Sequence, residues 1–298
     1  MRATDVNKLQ EAKKTGKPLL GMSLATCHPD LAEMLGYVGV EFLFIDNEHD
    51  SSSWETVAHV LRACECSGIF PMVRVKKEYP GYSSNIRMAY ELGAGMVLVP
   101  HVNTKEEAMA AVRAAKFGTE YEYGPWPADQ LRGSISDSHG ARYLTITPPD
   151  YPSTFHKMDD EKRMLGIQFE EKRAYEHAEE IMSVKGLDMI YFGIGDLSVQ
   201  MGYPGMGTKA PGVAELIAKA EALKKKFPGK FVEDRDINWL QVIKDPSMAK
   251  VEIKKGIKEG AYVFNLPSDR DILRQIVREC KKTLDEAYEE VKREKGGH

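Results

Sequence analysis

Short apolar runs alternate with amphipathic segments along most of this chain. The runs at 40–45 and 69–75 are rich in β-branched and aromatic residues, a composition typical of buried strands. The segment at 51–66 instead repeats apolar residues at helical spacing, which predicts an amphipathic helix. The same pattern predicts strands at 18–24, 40–45, 69–75, 95–99, 165–169, 189–192, 230–232 and 261–266.

Helices are predicted between these strands, so the two element types alternate as they do in a parallel α/β protein. The predicted helices are 29–37, 51–66, 83–92, 104–115, 172–184, 213–227 and 247–259. A long, charged helix is predicted at 269–295, after the last strand. We therefore expect an α/β fold of the (β/α)8 TIM barrel type.

The sequence predicts one domain over residues 1–298, with a barrel at about 18–268 followed by the terminal helix at about 269–295. No internal repeat, low-complexity segment or linker divides the chain. A doubly wound open sheet is the alternative arrangement, but no Gly-x-Gly-x-x-Gly pattern follows the first strand. The polar segment at 117–162 is too long for an ordinary connection, which predicts a functional or mobile loop.

Composition narrows the classes of function. The 298 residues carry a net charge of −4 and are 42% apolar, so the charge gives no argument for nucleic acid or a membrane surface as a partner. No apolar stretch approaches the roughly 20 residues of a membrane span, and the first residues carry no signal-peptide core. The four cysteines form neither a good disulfide pattern nor a zinc motif. We expect a cytoplasmic protein.

Two predicted strands end in carboxylates. The sixth is followed by a Gly-Ile-Gly turn before Asp196, and the fifth is followed directly by Glu170. The carboxyl ends of parallel strands meet at one edge of the sheet, where α/β proteins build their sites. Carboxylate oxygens suit a hard divalent cation such as Mg²⁺. Glu170 and Asp196 are therefore candidate metal ligands.

Polar residues also follow the second and third predicted strands. Asp46, Glu48 and His49 come after the second strand, and Arg74 ends the third. A single acidic residue at a strand end caps the next helix about as often as it serves a site. That explanation suits Arg74 poorly, because an arginine after apolar Met72-Val73 is costly to bury without an anionic partner.

Short motifs at these strand ends occur in the order of a known family. They are Phe44-Ile45-Asp46-Asn47-Glu48-His49, Val73-Arg74, Val97-Leu98-Val99-Pro100, Gln168-Phe169-Glu170, and Gly193-Ile194-Gly195-Asp196-Leu197-Ser198 with Met201-Gly202. From about Gly21 to Asp269 the chain resembles the HpcH/HpaI aldolase family, the metal-dependent class II pyruvate aldolases. The resemblance implies a TIM barrel, a Mg²⁺, Mn²⁺ or Co²⁺ centre, a 2-oxo acid substrate, and trimers or hexamers that exchange a terminal helix.

The resemblance also implies roles for individual residues. The metal ligands would be Glu170 and Asp196, the general base His49 with Asp46 beside it, and the oxyanion contact Arg74. The remaining implied residues are Gln168 in the pyruvate site, Glu91 as the partner of the histidine, and the amides of Gly195 and Asp196 at the pyruvate carboxylate. We expect His59, His156 and His177 to be structural, whereas both a functional and a structural role stay open for His28 and His101.

The chemistry of these residue types agrees with that assignment. Removing a proton from the methyl group of pyruvate requires the enolate charge to be stabilised, which a divalent ion and a fixed cation can do. A histidine titrates near neutral pH and can move the proton. The predicted reaction is cleavage of a 4-hydroxy-2-oxo acid. Oxaloacetate decarboxylation, malyl-CoA or citrate-lyase-like cleavage, and a non-catalytic acid-binding barrel remain as alternatives.

The sequence departs from the family pattern at several places. Asn47 replaces a usual glycine, Glu91 replaces an aspartate, and Ile194-Gly195 replaces Pro-Ala. The largest departure is the aromatic segment at 121–133, which we expect to shape the aldehyde pocket or to pack against a neighbouring subunit.

Overall fold

The computed structural model describes residues 7–50, 52–77, 83–117 and 159–296. Its strands are all parallel and short, and all but the seventh contain buried apolar residues, as the apolar runs predict. They are β1 Leu19–Leu24, β2 Phe42–Asp46, β3 Phe70–Arg74, β4 Met96–Val99, β5 Met164–Phe169, β6 Met189–Phe192, β7 Asp234–Asp236 and β8 Val263–Leu266.

These strands form one curled parallel sheet in the order β6-β5-β4-β3-β2-β1-β8-β7. The two edge strands approach each other, because Ile190 of β6 forms a parallel bridge with Phe231, just before β7. The amide of Ile190 donates to the carbonyl of Lys230 at 2.7 Å. An α/β fold with eight parallel strands is therefore confirmed, and its curvature is that of a TIM-like barrel.

Helices connect the strands. They are α1 Lys8–Thr15, α2 Pro29–Tyr37, α3 Trp54–Ser67, α4 Ser83–Glu91, α5 Lys105–Ala115, α6 Lys172–Glu176, α7 Ala178–Met182, α8 Ile194–Gln200, α9 Val213–Ala222, α10 Trp239–Lys244, α11 Pro246–Lys258 and α12 Asp269–Gly296. Local capping explains several of the starts. Ser53 accepts from the amide of Thr56, Thr104 accepts from that of Glu107, and Asp245 accepts from those of Ser247 and Met248.

Three predictions of elements are wrong. The seventh strand lies at β7 and not at 230–232, because Phe231 makes only the closing bridge while the paired residues follow it. The helix predicted at 172–184 is interrupted at His177, whose φ of −103° and ψ of 15° end α6 before α7 begins. The helix predicted at 213–227 ends as α9 at Ala222, and a 3-10 turn follows.

Apolar side chains form two buried clusters, one on each face of the curled sheet. The outer cluster joins strand residues such as Leu43, Val73 and Ile167 to the helices. The inner cluster fills the barrel with Phe42, Phe70 and other large side chains. Residues Leu9 and Ala12 of α1, a helix that the sequence pattern did not predict, belong to this inner cluster. The helix therefore packs against the interior of the barrel.

The terminal helix α12 is attached at its start and exposed along its length. The carboxylate of Asp269 accepts from the amides of Ala25 and Thr26, which ties the first turn to the end of β1. Large apolar side chains remain exposed farther along, namely Leu273, Ile276, Val277, Leu284, Tyr288 and Val291. In the described part of the chain, no helix is both long enough and apolar enough to cross a membrane. All four cysteines are free.

We expect Tyr90→Phe to destabilise the barrel. The Tyr90 hydroxyl donates to the carbonyl of Met164 at 2.7 Å, and the residue is 1% exposed. Losing a buried hydrogen bond costs about 1–2 kcal/mol of the free energy of unfolding. Urea unfolding measures this loss, with Tyr37→Phe as the control, because Tyr37 is 70% exposed. Equal stability of the two variants would contradict a structural role for the Tyr90 hydroxyl.

Candidate active site

Asp46 and Arg74 meet where β2 and β3 end. The two residues are register partners in the parallel β2–β3 pair. Nε of Arg74 donates to one carboxylate oxygen of Asp46 at 3.0 Å, and Nη2 donates to the other oxygen. Both side chains are largely buried, with 12% and 13% exposed. This bidentate pairing holds the guanidinium in one orientation.

The orientation of Arg74 directs its third nitrogen toward β5. Nη1 lies 3.5 Å from Oε1 of Gln168. The guanidinium also lies over the ring of Phe44, with 5.5 Å from Cζ to the ring centroid. One edge of the cation therefore faces its counter-ion and the other faces a neutral amide. A cation held in this way can offer Nη1 to a negatively charged ligand.

The pair keeps its charges despite burial. Burial raises the pKa of Asp46, but the hydrogen bonds and charge of Arg74 outweigh this effect and leave the pKa below its usual range. Burial lowers the pKa of Arg74, but the hydrogen bond and charge of Asp46 outweigh this effect and raise it. Both side chains are therefore ionised at neutral pH.

Glu48 is a second carboxylate beside the same guanidinium. Its Oε2 lies 3.3 Å from Nε of Arg74, yet this buried oxygen accepts no hydrogen bond from the described residues. Burial raises the pKa of Glu48; the charge of Arg74 opposes this shift, and the charge of Glu170 adds to it. Carboxylates thus outnumber cations here, so the site carries surplus negative charge.

Glu170 is the most deeply buried of these carboxylates, with 1% of the residue exposed. Gly193 packs directly against it, since a Cβ at that position would lie 2.2 Å from Cγ of Glu170. The β5–β6 register pairs Phe169 with Phe192, which places Glu170 and Gly193 side by side. Only a glycine allows this close approach of backbone to carboxylate.

Asp196 lies in the first turn of α8, one turn beyond the end of β6, and is exposed. Burial raises the pKa of Glu170, His101 opposes this shift, and the charge of Asp196 adds to it. The two predicted metal ligands are therefore close enough to interact.

His101 holds Glu170 from the β4 side. Its backbone has a φ of 54°, a left-handed value that is uncommon for a residue with a side chain. The amide of His101 donates to Glu170 at 3.0 Å, while its carbonyl accepts from Nζ of Lys77 at 2.8 Å and from the amide side chain of Asn103 at 3.3 Å. Nδ1 lies 3.2 Å from Oε1 of Glu171. His101 therefore positions Glu170.

His49 lies at the solvent side of the cluster, with 61% of its side chain exposed. Its backbone amide donates to Asp46 at 3.4 Å, and its Nε2 lies 3.7 Å from Oε2 of Glu48. The loop that carries it is anchored by the buried Asn47, whose amide donates to the carbonyl of Arg74 at 2.9 Å. The imidazole is thus tied to the site and accessible to substrate or water.

Of the other predicted site residues, some lie near Arg74 and some do not. Gln168 joins Arg74, and Gly195 is exposed in the first turn of α8. Glu91 ends α4, which leads into the beginning of β4, so it lies at the opposite edge of the sheet from Arg74 within one chain. The segment at 121–133 and His156 lie outside the described residues.

The sequence interpretation gave Glu48 no role and left His101 undecided. Glu48 lies between Asp46 and His49, which were both predicted site residues, so its position in the motif already indicated a role in the site. The left-handed backbone of His101 had no signal in the sequence, because its contacts come from Glu170 and Lys77, which are distant in the chain. The structure adds both residues to the candidate site.

The donor set fits a hard divalent cation. Among the residues that the structure describes, no three His, Cys, Asp or Glu side chains form a ready-made metal site. Mg²⁺ and similar ions need only one or two carboxylates, because they retain water and bind substrate oxygens. Glu170 and Asp196 supply two carboxylates, and the surplus negative charge at Glu48 and Glu170 would be balanced by a cation.

Comparison with known proteins assigns the family. The family model described as HpcH/HpaI aldolase/citrate lyase matches residues 19–224. The chain belongs to the HpcH/HpaI aldolase/citrate lyase family. A 4-hydroxy-2-oxo-heptane-1,7-dioate aldolase from Klebsiella pneumoniae is 32% identical over 200 residues, which cover 67% of this chain and 69% of that protein. A 2-dehydro-3,6-dideoxy-6-sulfogluconate aldolase from Pseudomonas putida is 32% identical over 193 residues, covering 65% and 68%.

Solved structures of HpcH/HpaI proteins share the fold. An HpcH/HpaI aldolase from Desulfitobacterium hafniense has a TM-score of 0.72 at 20% identity and covers 93% of this chain and 96% of its own. An HpcH/HpaI aldolase/citrate lyase family protein from Burkholderia cenocepacia has a TM-score of 0.71 at 24% identity and covers 94% and 100%. The HpcH/HpaI sequence match ends at residue 224 and so does not include β7 or β8.

We expect substitutions at Asp46 and Glu48 to change stability in opposite directions in metal-free protein at pH 7.5. The folded-state pKa of Asp46 lies below its usual value of 3.8, so the ionised carboxylate stabilises the fold at pH values above 3.8. This stabilisation is lost as the pH falls through the folded-state pKa. The folded-state pKa of Glu48 lies above its usual 4.5, so stability falls as pH rises between the two values.

Asp46→Asn should therefore lower the free energy of unfolding, by on the order of 3 kcal/mol for a broken buried pair. Glu48→Gln should raise it, because the amide removes a carboxylate that is unfavourable when ionised. Urea unfolding in EDTA measures both changes. If Glu48→Gln lowered the free energy of unfolding as much as Asp46→Asn does, the site would not carry surplus negative charge.

Proposed function

We propose that this protein is a class II pyruvate aldolase that reversibly cleaves a 4-hydroxy-2-oxo acid into pyruvate and an aldehyde. The 32% identical relatives carry aldolase names, which supports the reaction class. The observation that carries the proposal is the buried Arg74. It is held by Asp46, and its Nη1 lies beside Gln168 at the edge where Glu170 is buried.

In the cleavage direction, the 4-hydroxyl of the substrate loses its proton and the C3–C4 bond breaks. The bonding electrons remain on the pyruvate fragment as an enolate, and the other fragment leaves as an aldehyde. A proton then adds to C3 to form the methyl group of pyruvate. No oxidation or reduction occurs, so the site must stabilise negative charge and move protons.

Arg74 and Gln168 have the chemistry to hold the oxygen of the 2-oxo group. The guanidinium supplies a fixed positive charge next to the developing oxyanion, and Asp46 keeps it from reorienting. His49 is exposed, and its Nε2 lies 3.7 Å from Glu48. We assign His49 the transfer of the proton, directly or through water, and Glu48 the orientation of its ring.

Glu170 and Asp196 would hold Mg²⁺, Mn²⁺ or Co²⁺, with Gly193 and His101 fixing the position of Glu170. A divalent cation there would stabilise negative charge on the 2-oxo acid as a Lewis acid. The amides of Gly195 and Asp196, at the start of α8, are assigned to the carboxylate of pyruvate.

Two other functions use the same residues. Oxaloacetate decarboxylation, or malyl-CoA or citrate-lyase-like cleavage, produces an enolate-type anion and fits the same charge arrangement, and the family description includes citrate lyase. A non-catalytic acid-binding barrel is less favoured, because four polar residues from distant strands, Asp46, Arg74, Gln168 and Glu170, converge beside an accessible histidine.

We further propose that the protein is a homo-oligomer, a trimer or hexamer in which α12 is exchanged between subunits. The exposed apolar residues of this 28-residue helix support the proposal, since a partner surface would cover them. Glu91, at the other edge of its own sheet, could serve only a neighbouring subunit's site in such an assembly. The cytoplasmic location stays a prediction.

Divalent-metal affinity tests the ligand assignment. We expect Glu170→Gln and Asp196→Asn each to weaken Mn²⁺ binding by about 100-fold, since each removes a ligand charge without removing volume. Gly193→Ala should weaken it about 10- to 100-fold, because its Cβ would displace the Glu170 carboxylate. Isothermal titration calorimetry with Mn²⁺ measures these affinities.

Gly195→Ala is the matched control for Gly193→Ala. A Cβ at Gly195 meets no atom within 4 Å, and the substitution retains the backbone amide. The affinity of this variant for Mn²⁺ should equal that of the original protein. If Gly193→Ala bound Mn²⁺ as tightly as Gly195→Ala, Glu170 would not be the ligand.

Exchange of the methyl protons of pyruvate with deuterated water tests the role of His49. Exchange needs enolisation but no aldehyde, and removing a general base lowers rates on the order of 10²–10⁴-fold. His49→Ala should therefore lose exchange and aldol cleavage while retaining Mn²⁺ binding. Proton NMR of pyruvate follows the exchange.

Oxaloacetate decarboxylation provides the internal control for His49→Ala. This reaction reaches the enolate of pyruvate by losing CO₂, so forming the enolate requires no base. The variant should keep far more decarboxylation than exchange. An equal fall in all three activities would show that His49 positions the site and is not the base.

A further inference from the structure

A cavity of about 280 Å³ opens inside the barrel. Gln168, the contact of Arg74, lines one side of it, and residues of β1, β7 and β8 line the opposite side. The size is sufficient for a small aldehyde but not for a large cofactor. Gln168 therefore belongs both to the cavity wall and to the proposed pyruvate site.

Gln168 has an unused polar group at this boundary. The residue is 8% exposed, and its Oε1 faces Nη1 of Arg74. Its Nε2 donates to no group among the residues that the structure describes. This nitrogen is not among the fully buried polar atoms that lack a partner, so it is accessible from the cavity that Gln168 lines and can donate to a ligand or water there. The cavity is therefore a polar ligand space at this end.

Carboxylate and amide side chains form the opposite wall of the cavity. Asp234 and Asp236 of β7 both line it, together with Asn265 of β8. The side-chain amide of Asn265 donates to Oδ2 of Asp234 at 3.0 Å. Gly21 leaves room for Asn265, since a Cβ there would lie 2.5 Å from Oδ1 of Asn265. Burial raises the pKa of Asp234, and the charge of Asp236 adds to this shift.

No lysine or arginine lies among the described residues that line the cavity. Arg235, between the two aspartates, points to the other face of β7 and lies 3.6 Å from Glu259. A ligand group that ends in a carboxylate or sulfonate would therefore meet carboxylates and no compensating cation. Like charges placed opposite each other in a binding site disfavour the ligand that carries them.

This wall also lies outside the family sequence match. The HpcH/HpaI match ends at residue 224, before β7 begins at Asp234 and β8 at Val263. Two relatives matched at 32% identity are named for substrates with a second anionic group, a heptane-1,7-dioate and a sulfogluconate. The strands that carry this wall therefore lie beyond the part of the chain that the family model matches.

We propose that Asp234, Asp236 and Asn265 form the aldehyde subsite and select a neutral, hydroxylated aldehyde over one that ends in a carboxylate or sulfonate. The proposal rests on the pyruvate aldolase function. Hydroxyl groups can donate to Asp236 and accept from the amides of Asn265 and Gln168, so each polar group of the wall finds a complementary partner. An anionic end offers only acceptors to carboxylates.

The selection acts on the addition step. The methyl group of pyruvate loses a proton, the resulting enolate carbon bonds to the aldehyde carbon, and the aldehyde oxygen takes up a proton. These changes balance without any other reactant. The subsite residues take no part in the bond changes. They hold the remainder of the aldehyde while Arg74 and Gln168 hold the pyruvate fragment.

The test compares two aldehydes as acceptors for pyruvate, with Mn²⁺ present. Glyceraldehyde is neutral and hydroxylated, and succinic semialdehyde ends in a carboxylate. The original protein should show a kcat/KM at least about tenfold higher for glyceraldehyde. Asp236→Lys should shift the ratio of the two values toward succinic semialdehyde by about 10- to 100-fold, and Asp236→Asn should shift it by less. Asp236 is exposed, so these variants should fold.

Each kcat/KM value is divided by the rate at which the same variant exchanges the methyl protons of pyruvate with deuterated water. This division removes the effect of a general loss of activity. Glu215→Gln is the control for a lost carboxylate, because Glu215 lies on α9 with 70% of its side chain exposed. Its ratio should match that of the original protein. A preference of the original protein for succinic semialdehyde, or an unchanged ratio in Asp236→Lys, overturns the subsite proposal while exchange persists. Absence of exchange in the original protein overturns the aldolase function and this proposal with it.

Discussion

One buried guanidinium among several carboxylates is the interaction on which the site depends. Asp46 is paired with Arg74 through two hydrogen bonds, so this one carboxylate already balances the positive charge of the arginine. Glu48 and Glu170 are then left as buried acids whose pKa values are raised. A protein tolerates such groups when a bound cation or substrate compensates for them. This imbalance supports the proposed aldolase function, because a divalent cation and an oxyanion-binding arginine would together stabilise an enolate.

The topology of the barrel creates this arrangement from residues that are far apart in the chain. Parallel pairing brings the carboxyl ends of β2, β3 and β5 to one edge, so Asp46, Arg74 and Glu170 converge. Gly193 and the left-handed backbone of His101 then allow Glu170 to be held closely from two sides. The stability of the inner and outer apolar clusters supports a charge arrangement that by itself disfavours folding.

The sequence predicted most strands because buried parallel strands are continuous apolar runs, and it predicted Asp46, Arg74 and Glu170 because they interrupt those runs. It misplaced β7, whose residues Asp234, Arg235 and Asp236 have almost no apolar character, since neighbours and not propensity decide their pairing. The role of His101 in holding Glu170 was beyond prediction for the same reason. Its backbone conformation is stabilised by contacts with Glu170 and Lys77, and these contacts cannot be inferred from the sequence around position 101.

The most direct test of this account is a crystal structure with Mn²⁺ and oxalate, an analogue of the pyruvate enolate. We expect an anomalous manganese peak coordinated by Glu170 and Asp196, with an oxalate oxygen within hydrogen-bond distance of Nη1 of Arg74. A manganese peak coordinated by other residues, or oxalate bound away from Arg74, would contradict the claim that surplus carboxylate charge and the held guanidinium together form the active site.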